Sequence, residues 1–316
     1  MRCSTTLRRL AAGLTAVLLA GLLLSPQAVW ACACGCGIFD VGTSNMFPSD
    51  GGGGTVYLSY SYLDQNQNWH GTSAASAKNN DDKEIKTDFY SVGGQYLFNR
   101  SWGASVDIPY WYRYFRAADE DTGEIGTFNH AALGDIKLQG IYTGLSEDLS
   151  TGIKFGLKLP TGDWKFKDFD RDVEIGTGST DVLLSAYHLG KIGSSGAWSW
   201  FAQAQFQDAV AISDNYRPGN ETVAAAGINY DAGAVGPFSK LAPVLQVVSA
   251  YRDVDSGKNS DPSNTGYKRI YVSPGLQMNF EPIRIYADVE LPVYQWTNGN
   301  QLVAPYIFKV TLGYAI

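Results

Sequence analysis

From Val56 onward the chain repeats one pattern: apolar side chains on every second residue for about ten residues, a polar break, then the same again. Ile283, Ile285, Ala287, Val289 and Leu291 alternate with Arg284, Tyr286, Asp288 and Glu290. Trp102, Ala104, Val106, Ile108, Tyr110 and Tyr112 form another such row, and Leu302, Ala304, Tyr306, Phe308, Val310, Leu312, Tyr314 and Ile316 a last one. Successive side chains of a strand point to opposite faces, so each segment has one apolar and one mostly polar face. About twelve such segments are predicted, near 56–62, 90–98, 102–112, 136–142, 153–159, 180–190, 197–208, 221–231, 238–252, 267–280, 283–291 and 302–316.

A soluble sandwich would also bury the apolar faces. The connections decide against it. Asn99–Ser101, Ser146–Leu149, Gly190–Gly196, Ala232–Pro237 and Glu281–Pro282 are short. Between them stand long polar stretches, Asp64–Glu84, Ala117–Asn129, Thr161–Gly178, Val210–Asn220, Asp253–Gly266 and Thr297–Gln301. Short turns on one rim and long loops on the other mark a transmembrane, antiparallel, up-and-down β-barrel of the outer membrane, with the short rim periplasmic.

The beginning of the chain agrees. Arg2, Arg8 and Arg9 precede an apolar run from Ala11 to Leu24, then Ser25, Pro26 and small residues near Ala31, the three parts of a cleaved secretory signal. The expected organisation is a signal peptide over 1–31, a Cys- and Gly-rich leader over 32–54 and the barrel over 55–316. Removing the signal takes three arginines with it and moves the net charge from -7 to -10. An acidic mature chain without basic clusters is not expected to bind nucleic acid. Only 17% of residues are charged while 13% are aromatic, yet mean hydropathy is only -0.14, so the apolar residues are dispersed along strands, not gathered in helices.

Several stretches carry a likeness to a known family: Val106-Asp-Ile-Pro-Tyr110, Leu133-Gly-Asp-Ile-Lys-Leu-Gln-Gly-Ile-Tyr142, Leu157-Lys-Leu-Pro-Thr-Gly-Asp163, Gly176-Thr-Gly-Ser-Thr-Asp181 and Leu291-Pro-Val-Tyr-Gln295 with Asn298-Gly-Asn-Gln-Leu302. Together they span most of the mature chain, which resembles the outer-membrane barrels described as the MetA pathway of phenol degradation, a group of small-molecule transporters. The resemblance implies an exported barrel with a channel role. The Cys-rich start departs from that pattern.

Alternation turns Asp107, Arg113, Asp135, Lys137, Lys154, Lys158, Asp181, Lys240, Arg269, Arg284, Asp288, Glu290 and Lys309 inward, which predicts a polar pore lining. About twelve strands leave a narrow path. On this reading Lys158→Glu leaves folding nearly intact and alters ion selectivity, whereas Arg at the lipid-facing Leu157 impairs insertion. Cys32, Cys34 and Cys36 form a Cys-x-Cys-x-Cys cluster whose soft thiolates suit Cu(I), Zn or redox chemistry, the alternatives being a lipid-modified Cys32 or a redox-exposed tail without a dedicated role. The carboxylates Asp168, Asp170, Asp172 and Glu174, and Asp253, Asp255 and Asp261, are expected to be solvated loop charge. His70, His130 and His188 form no nucleophilic triad by spacing, and no enzyme activity is expected. The leading reading is an outer-membrane channel or facilitator for a small molecule, phenolic, hydrophobic or metal-related, in contact with outer-membrane lipid. The alternatives are a structural or electron-transfer-associated barrel that docks a periplasmic protein partner through its cysteines, and a barrel enzyme such as a phospholipase.

Overall fold

Each amphipathic strand leaves two rows of backbone N–H and C=O groups to satisfy, and in lipid only neighbouring strands can do so. The computed structural model, which describes residues 53–119 and 122–316, meets this demand by closing the sheet on itself. β1 (Gly53–Gln65) leads to two short strands beyond the rim, β2 (Gln67–Gly71) and β3 (Ser73–Ala74), then to β4 (Asp82–Leu97) and β5 (Trp102–Ala118). The next wall position is shared by β6 (Ile125–Leu133) and β7 (Lys137–Tyr142), which pair with the two halves of β5. The wall continues through β8 (Thr151–Lys158), β9 (Thr180–Ile192), β10 (Trp198–Ala211), β11 (Glu221–Tyr230) and β12 (Lys240–Arg252). It ends with β13 (Tyr267–Phe280), β14 (Ile283–Val303) and β15 (Ile307–Ala315). All pairings are antiparallel, and β15 returns to β1 from Thr55↔Ala315 to Leu63↔Ile307. The fold is a closed 12-strand all-β barrel, as alternation and connection lengths predict.

The outward rows are those the periodicity assigns to lipid. Val56, Leu58, Val92, Ile108, Leu157, Leu245 and Leu312 are all exposed on the wall. Aromatic pairs gird both ends: Trp102 with Tyr142 (4.8 Å) and Trp198 with Tyr230 (4.9 Å) near the short turns, and Tyr60 with Tyr90 (5.2 Å) towards the long loops. Aromatic girdles around an apolar band are what a barrel presents at the two membrane interfaces. A cysteine at exposed Lys78, beyond the long-loop rim, should therefore label on intact cells with a membrane-impermeant reagent, and one at Arg100 in a short turn should not. Equal labelling of both would overturn the orientation.

Three boundaries differ from the sequence reading, each for a physical reason. The stretch 64–84 is not simply a loop, because β2 and β3 fold there and β2 adds to the extended end of β14 through Thr297↔Gly71 to Val303↔Gln67. Thr297–Gln301 consequently belongs to β14, and β15 starts only at Ile307. Leu302 and Ala304, 1% and 7% exposed, lie inside and not on the lipid face. Beyond the membrane level the outward-inward rule ends, and Leu302 packs with Ile85, Phe115, Phe169 and Val173 beneath the long loops. Finally, Ile125–Asn129 is strand and not loop, and the fourth wall position is broken between Leu133 and Lys137.

Candidate functional site

At the break in the fourth wall position Gly134 N–H still donates to the Pro109 carbonyl of β5 (2.9 Å), while the Gly134 carbonyl, the Asp135 side chain and the Ile136 N–H bond to the loop that follows β8. Asp135 accepts the Gly162 N–H on one oxygen (2.9 Å) and the Thr177 N–H (2.9 Å) and hydroxyl (2.6 Å) on the other. Thr161 Oγ1 accepts from Ile136 N (2.9 Å) and donates to Gly134 O (3.1 Å). Both ends of the 161–178 loop are thus tied to one carboxylate. Gly162 and Gly176 touch there through bare backbone: a Cβ on Gly176 would stand 2.4 Å from the Gly162 carbonyl carbon. Only glycine permits that approach.

Lys158 completes the knot. Its ammonium lies 2.8 Å from Asp181 and 3.3 Å from Asp135, with all three side chains at most 6% exposed. Asp181 also accepts from Ser179 Oγ and Gln207 Nε2, both at 2.6 Å. One cation and two carboxylates, each further hydrogen-bonded, meet the conditions under which buried charge is tolerated. Three of the motifs that carry the family resemblance, around Asp135, Lys158 to Asp163 and Gly176 to Asp181, therefore converge on one point.

From this knot the loop folds inward. Phe169, Val173 and Ile175 are buried, and Phe169 packs edge-on to Phe115 with ring centroids 5.6 Å apart. Arg113 reaches up from β5 to donate to the Val173 and Glu174 carbonyls, the latter at 3.1 Å. A second loop cluster closes the same end: Tyr216 donates to Asp255 (2.6 Å), which also pairs with Arg252 (2.7 Å) and accepts the Gly219 N–H (2.7 Å). Asp172, Glu174 and Asp255 are accordingly not solvated loop charge. Asp255 is 0% exposed. Burial, with Asp255 nearby, pushes the Asp172 carboxyl up to about 8, and burial, with Asp163 nearby, pushes Glu174 up to about 8.

Beneath the loops lies a cavity of about 250 Å³. Of the inward residues expected from alternation, Asp107, Asp135, Lys137, Lys154, Lys158, Asp288 and Lys309 line it. Arg113, Asp181, Arg269 and Glu290 are buried beside it, Glu290 in an ion pair with Lys309 (2.5 Å) and Arg269 over the Tyr267 ring (4.0 Å). Lys240 and Arg284 begin strands at the short-turn rim, where Lys240 pairs with Asp231 (3.1 Å). Cys32, Cys34 and Cys36 lie outside the described residues.

The charged rows are only part of the lining. Gln139, Gln203, Gln205, Gln207, Ser59, Ser61 and Tyr57 face the cavity, as do Phe89 and Trp111, whose rings meet edge to face at 4.7 Å. Tyr57 lies flat over Gly93, where a Cβ would come within 2.3 Å of its ring, and donates to Asp107 (3.0 Å). The interior also holds apolar clusters, one in which Phe201, Val223, Val244, Val248 and Tyr271 pack with Phe89, and another of Leu97, Ile141 and Leu149 towards the short turns. The lumen is therefore mixed and not polar throughout.

The histidines are spread. His130 stacks on Phe166 (4.0 Å) and pairs with Asp163 (2.9 Å), while His188 bonds Thr151 (2.7 Å) near the short turns. Neither contact assembles a nucleophile, base and orienting acid.

No protein-family profile matches the chain, and no curated protein matches it. Solved structures do. The COG4313 outer membrane channel from Pseudomonas putida F1 is similar with a TM-score of 0.61 at 12% identity, covering 88% of this chain and 100% of that one. The β domain of the Bordetella autotransporter BrkA follows with a TM-score of 0.47 at 11% identity, covering 84% and 100%. The P. putida toluene transporter TodX has a TM-score of 0.38 at 8% identity, covering 83% and 89%. Identity at this level speaks to fold alone. The fold is that of an outer-membrane β-barrel, and its apolar, aromatic-girdled wall belongs in the outer membrane of a Gram-negative-type envelope.

Proposed function

We propose that this barrel is a channel or facilitator for a small molecule, with selection made in the lumen. The observation that carries the reading is the cavity of about 250 Å³ inside the wall, lined from the inward loop by Ile175 and Thr177. A barrel serving only as a scaffold has no need for a loop so elaborately latched over a cavity with a mixed polar and aromatic lining. The fold shared with an outer membrane channel supports the reading, as does the resemblance of the converging motifs to barrels associated with phenol degradation. Phenolic compounds fit the mixed lining, because an aromatic ring and a polar handle each find a counterpart there.

The inward apolar clusters favour a second reading, a filled and non-conducting interior. One comparison separates the two. Replacing residues 165–175 by a short Gly/Ser linker removes Phe166, Phe169, Val173 and Ile175 from the roof. On the channel reading, liposomes carrying the shortened protein should take up small solutes several-fold faster than those carrying the full chain, with a parallel rise in single-channel conductance. If neither protein passes solutes or ions, the barrel is a scaffold.

A further inference from the structure

We infer that the cavity seats a single aromatic ring bearing a carboxylate or similar anionic group, with the anion on the β7 wall and the ring against Phe89 and Trp111. The inference rests on the channel reading for its biological meaning but on the wall's own chemistry for its content.

Size comes first. An apolar cavity of about 150 Å³ suffices for benzene, so about 250 Å³ leaves room for one ring with a substituent. The charge pattern comes second. Among the cations on the lining, Lys158 is held by Asp135 and Asp181, Lys309 by Glu290 and Arg252 by Asp255, and Lys154 donates to Gln95 Oε1 (3.4 Å). Lys137 has no carboxylate within ion-pair distance among the described residues, although Asp107 is its register partner on β5. Asp107 is turned instead towards Tyr57 and Ser91, which both donate to it. Two residues further along β7, the Gln139 amide nitrogen is buried and donates to no group among the described residues. This wall thus satisfies its acceptors and leaves donors over. A buried donor without an acceptor is costly, and a ligand made of acceptor oxygens is what such a wall fits.

The ring's place follows from register. Pro109 and Trp111 are the next two inward residues of β5 beyond Asp107, at about 3.4 Å per residue. Trp111 and Phe89 therefore present an aromatic corner within reach of a ligand whose anionic end lies at Lys137. Asp288, on the far wall and hydrogen-bonded by Ser273, repels an anion and sets the direction.

The test uses the purified mature protein in detergent, titrated calorimetrically with sodium benzoate, benzyl alcohol and sodium acetate. Benzoate should bind about tenfold or more tightly than either control, since each control lacks one of the two recognised features. Lys137→Gln should weaken benzoate about tenfold while leaving benzyl alcohol unchanged, and Lys137→Arg should restore binding. Benzoate no tighter than benzyl alcohol overturns the inference with the wild-type protein alone, whatever the variants do. So does a folded Lys137→Gln protein that binds benzoate unchanged. Solute flux into liposomes is read separately: binding without flux removes the channel reading and leaves the site, whereas flux without benzoate preference removes the site and leaves the channel.

Discussion

Lys158→Glu should unfold the outer half of the barrel interior, not merely change its selectivity. Two adjacent residues of β8 make the case. The Lys158 side chain is 5% exposed between Asp135 and Asp181, and removing one partner of a buried pair costs about 3–5 kcal/mol because an uncompensated charge stays behind. Glu at this position would place three carboxylates together, so the loss should exceed that of Lys158→Met. Leu157, 41% exposed on the wall, faces lipid, where Arg near the midplane costs about 2–4 kcal/mol. The alternation alone would rank Leu157→Arg as the worse change. The geometry reverses the order. Denaturant titration of protein refolded in lipid vesicles, followed by tryptophan emission, should show Lys158→Glu less stable than Leu157→Arg and should show Lys158→Met with Asp135→Asn partly rescued. If Lys158→Glu keeps wild-type stability, the ammonium stands in water and the knot is not structural.

Much of the barrel is legible before any coordinates, because period two survives wherever one face meets lipid and the other does not. The residues Ile283–Leu291 and Trp102–Tyr112 fall on their assigned faces for that reason. Legibility fails where both faces are apolar. In β12, Val244 and Val248 point inward while Leu245 and Val247 point out, and alternation of polarity cannot show a packed interior row. It fails again beyond the membrane, where Leu302 and Ala304 continue the parity of β15 by accident of spacing but are covered by loops. The site shows the same limit. Inward charges were visible as charges, yet only contacts between segments far apart in sequence distinguish Lys158, bound in the knot, from Lys137, facing the cavity. Gln139, Gln203, Gln205 and Gln207 could have been found by parity, since they hold inward positions among lipid-facing ones. They carry no charge to draw attention.

On the channel reading, conductance should rise as pH increases from about 4 to 8, and the loop carboxyls determine that sign. Asp172 and Glu174 are pushed up to about 8 in the tucked loop, chiefly by burial. In an untucked, hydrated loop they return to the ordinary carboxyl range near 4. Between those limits the tucked state binds protons that the untucked state releases, so its advantage is complete below about pH 4 and shrinks as pH rises through 8. Each group contributes about 1.4 kcal/mol per pH unit within that window. The opposing attachments, Arg113 to the Val173 and Glu174 carbonyls and Asp135 to Thr177, do not depend on either side chain's proton. Deprotonation therefore weakens the seat of residues 172–174 and leaves Arg113 and Asp135 as the attachments that hold the loop, which loosens the roof without freeing it. Single-channel recording across this range at constant ionic strength should show open probability climbing with pH in the wild type. With Asp172→Asn and Glu174→Gln combined the profile should be flat and low, because the neutral amides hold the tucked form at every pH. A wild-type profile that falls with pH, or a double variant that keeps the full rise, would assign the gating charge to other groups.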